Sequence, residues 1–120
     1  MQYSNGNYYI GELDEDRLPS GRGDFYLEND SVPCGSGEWL RGKQHGQGIY
    51  ISRNGERYEG AFFEDQPTGL GKQTKPDGST YEGQFVNGTR TGHGTETGKD
   101  GKETNTGQWY LNKLVQPVTI

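Results

Sequence analysis

An all-β fold, an elongated antiparallel meander of tandem ~23-residue hairpins in a single twisted sheet, is predicted by three features of this sequence. Marker glycines recur at positions 11, 37, 60, 83 and 107, with spacings of 26, 23, 23 and 24 residues. Two residues after each marker stands Leu13, Trp39, Phe62, Phe85 or Trp109. Asn-Gly or Asp-Gly pairs, strong short-range hairpin signals, punctuate the array at Asn54-Gly55, Asp77-Gly78 and Asp100-Gly101. The composition fits a narrow structure. With 27% hydrophobic residues and 21 glycines in 120, the chain has too few apolar side chains for a wide two-layer core. The periodic placement of eight Tyr, four Phe and two Trp argues against disorder.

Taken in order, Asn5-Gly6 is read as a turn before the first copy, and Tyr9-Ile10-Gly11 opens its first strand. The clearest first strand is Tyr58-Glu59-Gly60-Ala61-Phe62, where alternation puts Tyr58, Gly60 and Phe62 on one face and Glu59 on the other. Tyr81-Glu82-Gly83-Gln84-Phe85 repeats it, and Gly35-Ser36-Gly37 and Asn105-Thr106-Gly107 are degenerate versions. Three residues past the Leu, Phe or Trp comes a residue that tolerates positive φ: Asp16, Gly42, Asp65, Gly88 or Asn112. A returning strand then begins at Gly21/Gly23, one residue late, and at Gly46/Gly48, Gly69/Gly71 and Gly92/Gly94. Both glycines of each pair are read as sockets for the neighbouring strand's rings. Type I′ turns are expected at the three Asn-Gly and Asp-Gly pairs, and Asp30 holds the corresponding place in the first copy. Because every connection is short, successive strands are antiparallel neighbours.

The net charge of −5 gives no long-range attraction to phosphates. Residues 1–38 carry eight acids and two bases, whereas residues 39–120 carry nine acids and ten bases. The run Asp14-Glu15-Asp16 reads as a solvated face. Cys34 is alone, so no disulfide forms within the chain, and a reducing compartment is the simple expectation. No apolar stretch of signal-peptide or membrane-spanning length is present in the sequence. The sequons at Asn29 and Asn87 are read as turn residues.

These residues resemble MORN repeats (membrane occupation and recognition nexus), whose pattern is close to Tyr-Glu-Gly-x-Trp/Phe-x-x-Gly followed by Gly-x-Gly and a closing Asp/Asn-Gly. Tyr58–Phe62, Tyr81–Phe85 and the segment from Gly42 to Tyr50 carry the likeness, which extends from about Tyr3 to Asn112. The resemblance implies a twisted sheet with one grooved face and a role as scaffold or tether. Ciliary and radial-spoke components, cytoskeletal organisers, membrane-contact proteins and regulatory modules of enzymes are known in the family. The repeat-defining positions are Tyr9, Gly11, Gly37, Tyr58, Gly60, Tyr81, Gly83 and Gly107, with Gly35 and Asn105 standing where tyrosine is expected. On the returning strands the position two past the glycine pair runs Phe25, Tyr50, Gln73, Glu96, so the grooved face turns polar. A looser C-terminal half, or a polar face there covered by something else, is therefore expected.

No catalytic constellation is recognisable. Gly-Lys is never followed by Ser or Thr, which excludes a phosphate loop, and the Gly-x-Gly pairs lack the third glycine of a dinucleotide site. His45 and His93 have no metal-ligand companions at suitable spacing, and a Cys34/His45 nucleophile pair lacks an orienting acid. No enzyme activity, cofactor or metal is expected. The stripe Trp39, Phe62, Phe85, Trp109 has two compatible readings, core plugs and a ligand face, and Tyr50, Leu111, Leu114 and Val115 complete the candidate partner-binding set. The best basic cluster, Arg41, Lys43, Arg53 and Arg57, comes from two turns and needs to share a face to bind anionic lipid.

The expected organisation is an array over 1–112, about four and a half repeats, and an apolar tail over 113–120 that caps the last edge or docks on a partner or second copy. The expected function is a non-enzymatic scaffold that binds other protein subunits, without nucleic acid. By family analogy it is cytoplasmic, in a cytoskeletal or ciliary assembly, the alternatives being a lipid-contacting adaptor or an enzyme's regulatory module.

Overall fold

A computed structural model describes residues 1–102 and 104–117. They form ten strands and no helix: β1 Tyr8–Leu13, β2 Pro19–Tyr26, β3 Gly35–Leu40, β4 Lys43–Ile51, β5 Arg57–Phe63, β6 Gln66–Thr74, β7 Thr80–Val86, β8 Thr89–Thr97, β9 Thr104–Tyr110 and β10 Lys113–Pro117. The strands lie side by side in chain order as one antiparallel sheet, 52 × 26 × 18 Å. Part of the predicted tail, residues 113–117, continues the meander as β10, pairing with β9 through Leu114 opposite Trp109. The rest of that tail, 118–120, lies outside the described residues, as does Glu103.

One line of residues organises the sheet. Gly11, Gly23, Gly37, Gly48, Gly60, Gly71, Gly83, Gly94 and Gly107 are paired in succession across nine strands. Backbones approach so closely along this line that a Cβ at Gly60 would stand 2.5 Å from the Gly71 Cα, and one at Gly83 equally near the Gly94 Cα. Beside the line, the phenol rings of Tyr9, Tyr58 and Tyr81 lie where a Cβ on Gly23, Gly71 and Gly94 would be. Plug and socket are thus real, but only the second glycine of each pair is a socket. The first has another task. Gly46, Gly69 and Gly92 adopt φ of 105, 106 and 112°, which a side chain disfavours, where the returning strand bulges within its hairpin.

At three of the bulges a backbone N–H is taken up by the residue after the marker glycine. Arg22 N donates to Glu12 Oε1 at 2.7 Å, Gln47 N to Glu38 Oε1 at 2.9 Å and His93 N to Gln84 Oε1 at 2.7 Å. The third copy has Ala61 there, too short to do the same for Leu70. Ala61→Gln is expected to add this bond and raise stability by about 0.5–1 kcal/mol, readable as a higher urea midpoint with unchanged m.

The turns reverse one expectation. Asn54-Gly55 has positive φ at Gly55 alone, Gly55 N–H bonds Ser52 O at 3.0 Å and Ser52 N–H bonds Glu56 O at 2.8 Å. This is a type I turn closed by a left-handed glycine, and Gly78 and Gly101 make the same return bond. Two consecutive positive φ values, as type I′ requires, occur at Arg41-Gly42, Glu64-Asp65, Asn87-Gly88 and Leu111-Asn112. In the first copy the extra residue goes into a longer turn whose left-handed residue is Arg17, not Asp16. Asp14 builds that turn by accepting the N–H groups of Asp16 and Leu18 at 2.9 and 3.0 Å. Asn29, not Asp30, is the left-handed residue of the next loop.

Consecutive hairpins are also stitched at these turns. Gly42, Asp65, Gly88 and Asn112 donate their N–H to the carbonyls of Pro19, Gln44, Pro67 and Arg90, at 2.8 to 3.0 Å. Where the partner is proline it has no N–H to give, and the turn residue is glycine. Where the partner is Gln44 or Arg90, its N–H is received by the Asp65 or Asn112 side chain, each at 2.8 Å. The two positions match by chemistry in all four copies.

Candidate partner-binding face

On the face carrying the tyrosines, the rings form an edge-to-face row. Phe62, Tyr58, Phe85, Tyr81 and Trp109 follow one another with centroids 5.0 to 5.3 Å apart. Tyr9 and Trp39 make a shorter row at 5.5 Å. Trp39, Phe62, Phe85 and Trp109 are at most 8% exposed. The indoles of Trp39 and Trp109 donate to the carbonyls of Gly23 and Gly94 at 2.9 and 3.0 Å. These four rings are core, and as a ligand face they are unavailable because their edges are already spent on neighbouring rings and backbone. Burial pushes the Tyr58 phenol up to about 12, and its hydroxyl donates to the Ala61 carbonyl at 2.6 Å.

The polar end of this face is not loose. Gln44 and Arg90 are the buried polar side chains of the described residues. The Arg90 guanidinium lies 4.7 Å from the Tyr81 ring centroid and 5.4 Å from that of Trp109. Its Nε and Nη2 donate to Gln73 Oε1 at 3.1 and 3.0 Å, and Nη1 donates to Glu96 Oε2 at 2.6 Å. Gln73 and Glu96 are therefore the acceptors of a buried cation, and the core cluster of Tyr58, Phe62, Tyr81, Phe85 and Trp109, with Leu114 packed against it, sits in the C-terminal half. The hydrogen bond from Arg90, partly opposed by burial, holds the Glu96 carboxyl below its ordinary value.

The row breaks where Gly35 replaces the tyrosine. Gln44 turns into part of the vacated space, its Nε2 donating to the carbonyls of Ser36 and Ile49 at 3.3 and 3.2 Å. Beside it remains a cavity of about 300 Å³ lined by Tyr3, Phe25, Gly35, Trp39, Tyr50 and Asp65 among others. Tyr3 packs edge-on against Phe25 at 5.4 Å. Burial raises the Tyr3 phenol pKa, and the charge of Asp65 adds to the rise. A wider hollow of about 630 Å³ under the Val32-Pro33-Cys34 insertion adjoins it, sharing Asn5 and Asn7.

Of the remaining candidates, Tyr50 is 45%, Leu111 55% and Val115 59% exposed, while Leu114 joins the core. Tyr50 thus lines the cavity in the second copy, whereas Leu111 and Val115 stand at the far end of the sheet. Sequence reasoning missed Gln44, Arg90 and Asp65 as a set. The signal was present, since Gln44 and Arg90 stand at the same repeat offset as Pro19 and Pro67.

Two alternatives lose their geometry. Arg41 and Lys43 flank the β3–β4 turn, whereas Arg53 and Arg57 flank the β4–β5 turn at the other end of β4, so the basic residues do not cluster. Cys34 meets Ile51 at one end of β4 while His45 lies near the other, roughly 20 Å away at strand rise. Burial pushes the Cys34 thiol pKa up, opposite to an activated nucleophile. No group of three or more His, Cys, Asp or Glu suited to a metal occurs among the described residues, and no helix is long and apolar enough to cross a membrane.

Comparison with known proteins adds two findings. A stretch of 51 residues is 45% identical to part of the inactive protein tyrosine kinase pTKL of Plasmodium berghei (strain Anka), covering 42% of this chain and 4% of that protein. The MORN repeat pattern matches residues 36–57, 58–80 and 81–103 in tandem. Repeats of this kind are non-catalytic protein- or membrane-interaction modules. With more than half of its length matched and the hairpin array around it, the chain belongs to the MORN repeat family.

Proposed function

We propose that this array is a non-enzymatic scaffold that docks another protein on its tyrosine-bearing face, at the first and second copies, as a subunit of a larger cytoplasmic assembly of cytoskeletal or ciliary kind. The observation that carries the reading is the uneven use of that face. From Tyr58 onward its rings are consumed by the array itself, whereas Phe25, Tyr3 and Tyr50 surround an opening. The cytoskeletal or ciliary setting rests on the family likeness.

Tyr50→Asp, at an exposed position, is expected to leave the melting temperature within about 2–3 °C. It should also reduce recovery of specific partners from native cells at least about fivefold, by quantitative mass spectrometry. Equal recovery by parent and variant would count against docking at this place. A second reading, a regulatory or targeting module for a catalytic chain, is favoured by the likeness to a protein named as an inactive kinase. Stable co-purification of an enzyme subunit in the same experiment would select it. Anionic vesicles are expected to leave the protein in the supernatant, since its basic residues are divided between opposite ends of the strands.

A further inference from the structure

We propose that the cavity beside Gly35 receives an arginine side chain of the partner protein. The proposal rests on the docking reading above and names its chemistry. Within the sheet, Gly35 is paired with Phe25 on one side and Tyr50 on the other. Two copies later, Tyr81 is paired with Gln73 and Glu96. The chain's own Arg90 occupies that later site, stacked on Tyr81 and held by the two flanking acceptors. In the earlier site the central ring is missing and the flanking positions are rings. An internal glutamine replaces the internal arginine, and the space left over is open.

The lining suits a guanidinium. Tyr3, Phe25 and Tyr50 offer aromatic surface, which attracts a cation through its π-electron density. Among the described residues, Asp65 is the only charged one of the lining. One of its oxygens accepts the Gln44 N–H, which orients the carboxylate at the cavity's rim. Residues 1–38, which supply much of the surroundings, carry a net charge of −6, from eight acids and two bases, and so favour approach of a cation. A volume of about 300 Å³ is at the small end of ligand pockets and matches one side chain better than a helix.

The test uses the full chain, labelled with nitrogen-15, titrated with the blocked peptide Gly-Arg-Gly and with counterparts carrying citrulline or norleucine in place of arginine. Shifts confined to Tyr3, Phe25, Trp39, Tyr50 and Asp65 are expected, with the arginine peptide binding about tenfold more tightly than either counterpart. Asp65→Asn should weaken arginine binding by about fivefold or more. Gly35→Tyr combined with Gln44→Ala, which rebuilds the ring seen at Tyr58 and Tyr81, should abolish it. Equal binding of citrulline, equal binding of norleucine, shifts elsewhere on the sheet, or undiminished binding by the folded double variant would each overturn the assignment. Should the double variant fail to fold, Asp65→Asn and the two counterpart peptides decide. If Tyr50→Asp loses partners while these peptides show no preference for arginine, the arginine assignment falls and the docking reading stands.

Discussion

Tyr81→Ala is expected to lower the unfolding free energy by about 3–5 kcal/mol, a large share of the roughly 5–15 kcal/mol that holds a domain folded. Tyr81 is fully buried, meets Phe85 and Trp109 edge-on at 5.1 and 5.3 Å and lies over the Gly94 backbone. Its hydroxyl donates to the Gln84 carbonyl at 3.0 Å, and the Arg90 guanidinium rests on its ring. Removing the ring opens a hole over a backbone that has no side chain to collapse into it. It also takes away half of the aromatic bed of a buried cation. Tyr81→Phe should lose only about 1 kcal/mol, the worth of one hydrogen bond. Guanidinium unfolding monitored by tryptophan fluorescence separates the two. A loss below about 1 kcal/mol for alanine would refute the view that ring and glycine hold neighbouring strands together.

The second large effect concerns Arg90 and Glu96. Glu96→Gln is expected to cost about 2–3 kcal/mol, because it leaves a guanidinium at 8% side-chain exposure facing a neutral amide. That is less than the roughly 3–5 kcal/mol of breaking a fully buried pair, since the Glu96 side chain keeps 32% exposure. Arg90→Met should cost less, for it removes the buried charge and leaves a carboxylate that water still reaches. The pair also sets a pH dependence. The folded-state pKa of Glu96 is depressed by the bond from Arg90. Its contribution is therefore fully present above the unfolded value of about 4.3 and disappears as pH falls through the folded value. Urea midpoints of the parent should drop between about pH 5 and pH 3 more steeply than those of Arg90→Met.

Repetition made most of the architecture legible. Offsets that recur in five copies predicted the strands, their order and the tyrosine-over-glycine packing, because each copy is an independent sample of the same local physics. What escaped were features that depend on the difference between copies. Asn54-Gly55 has the composition of a type I′ turn, yet the actual type I′ turns include Glu64-Asp65 and Leu111-Asn112. There, bonds to the preceding hairpin hold residues that tolerate left-handed backbone only reluctantly. Gln73 and Glu96 look like a decay of the aromatic pattern until Arg90 is placed between them. A single position in period-two alternation does not reveal that a cation from the same sheet needs both. The candidate site was half legible: the missing tyrosine at Gly35 shows in the repeat alignment, but that Gln44 fills only part of the vacancy is a matter of volume, which no pattern of letters carries.

The unbroken line of paired glycines has a consequence for length. Each of β1 to β9 contributes one glycine to it, so a gain or loss preserves the line only when a whole hairpin is added or removed. Such a change moves everything beyond it by two strand spacings, about 9–10 Å, and turns it by roughly 40–50°. The array is therefore a ruler with a built-in screw. A partner that grips it at two separated points measures both distance and phase, and one hairpin more or less would put the second grip out of reach.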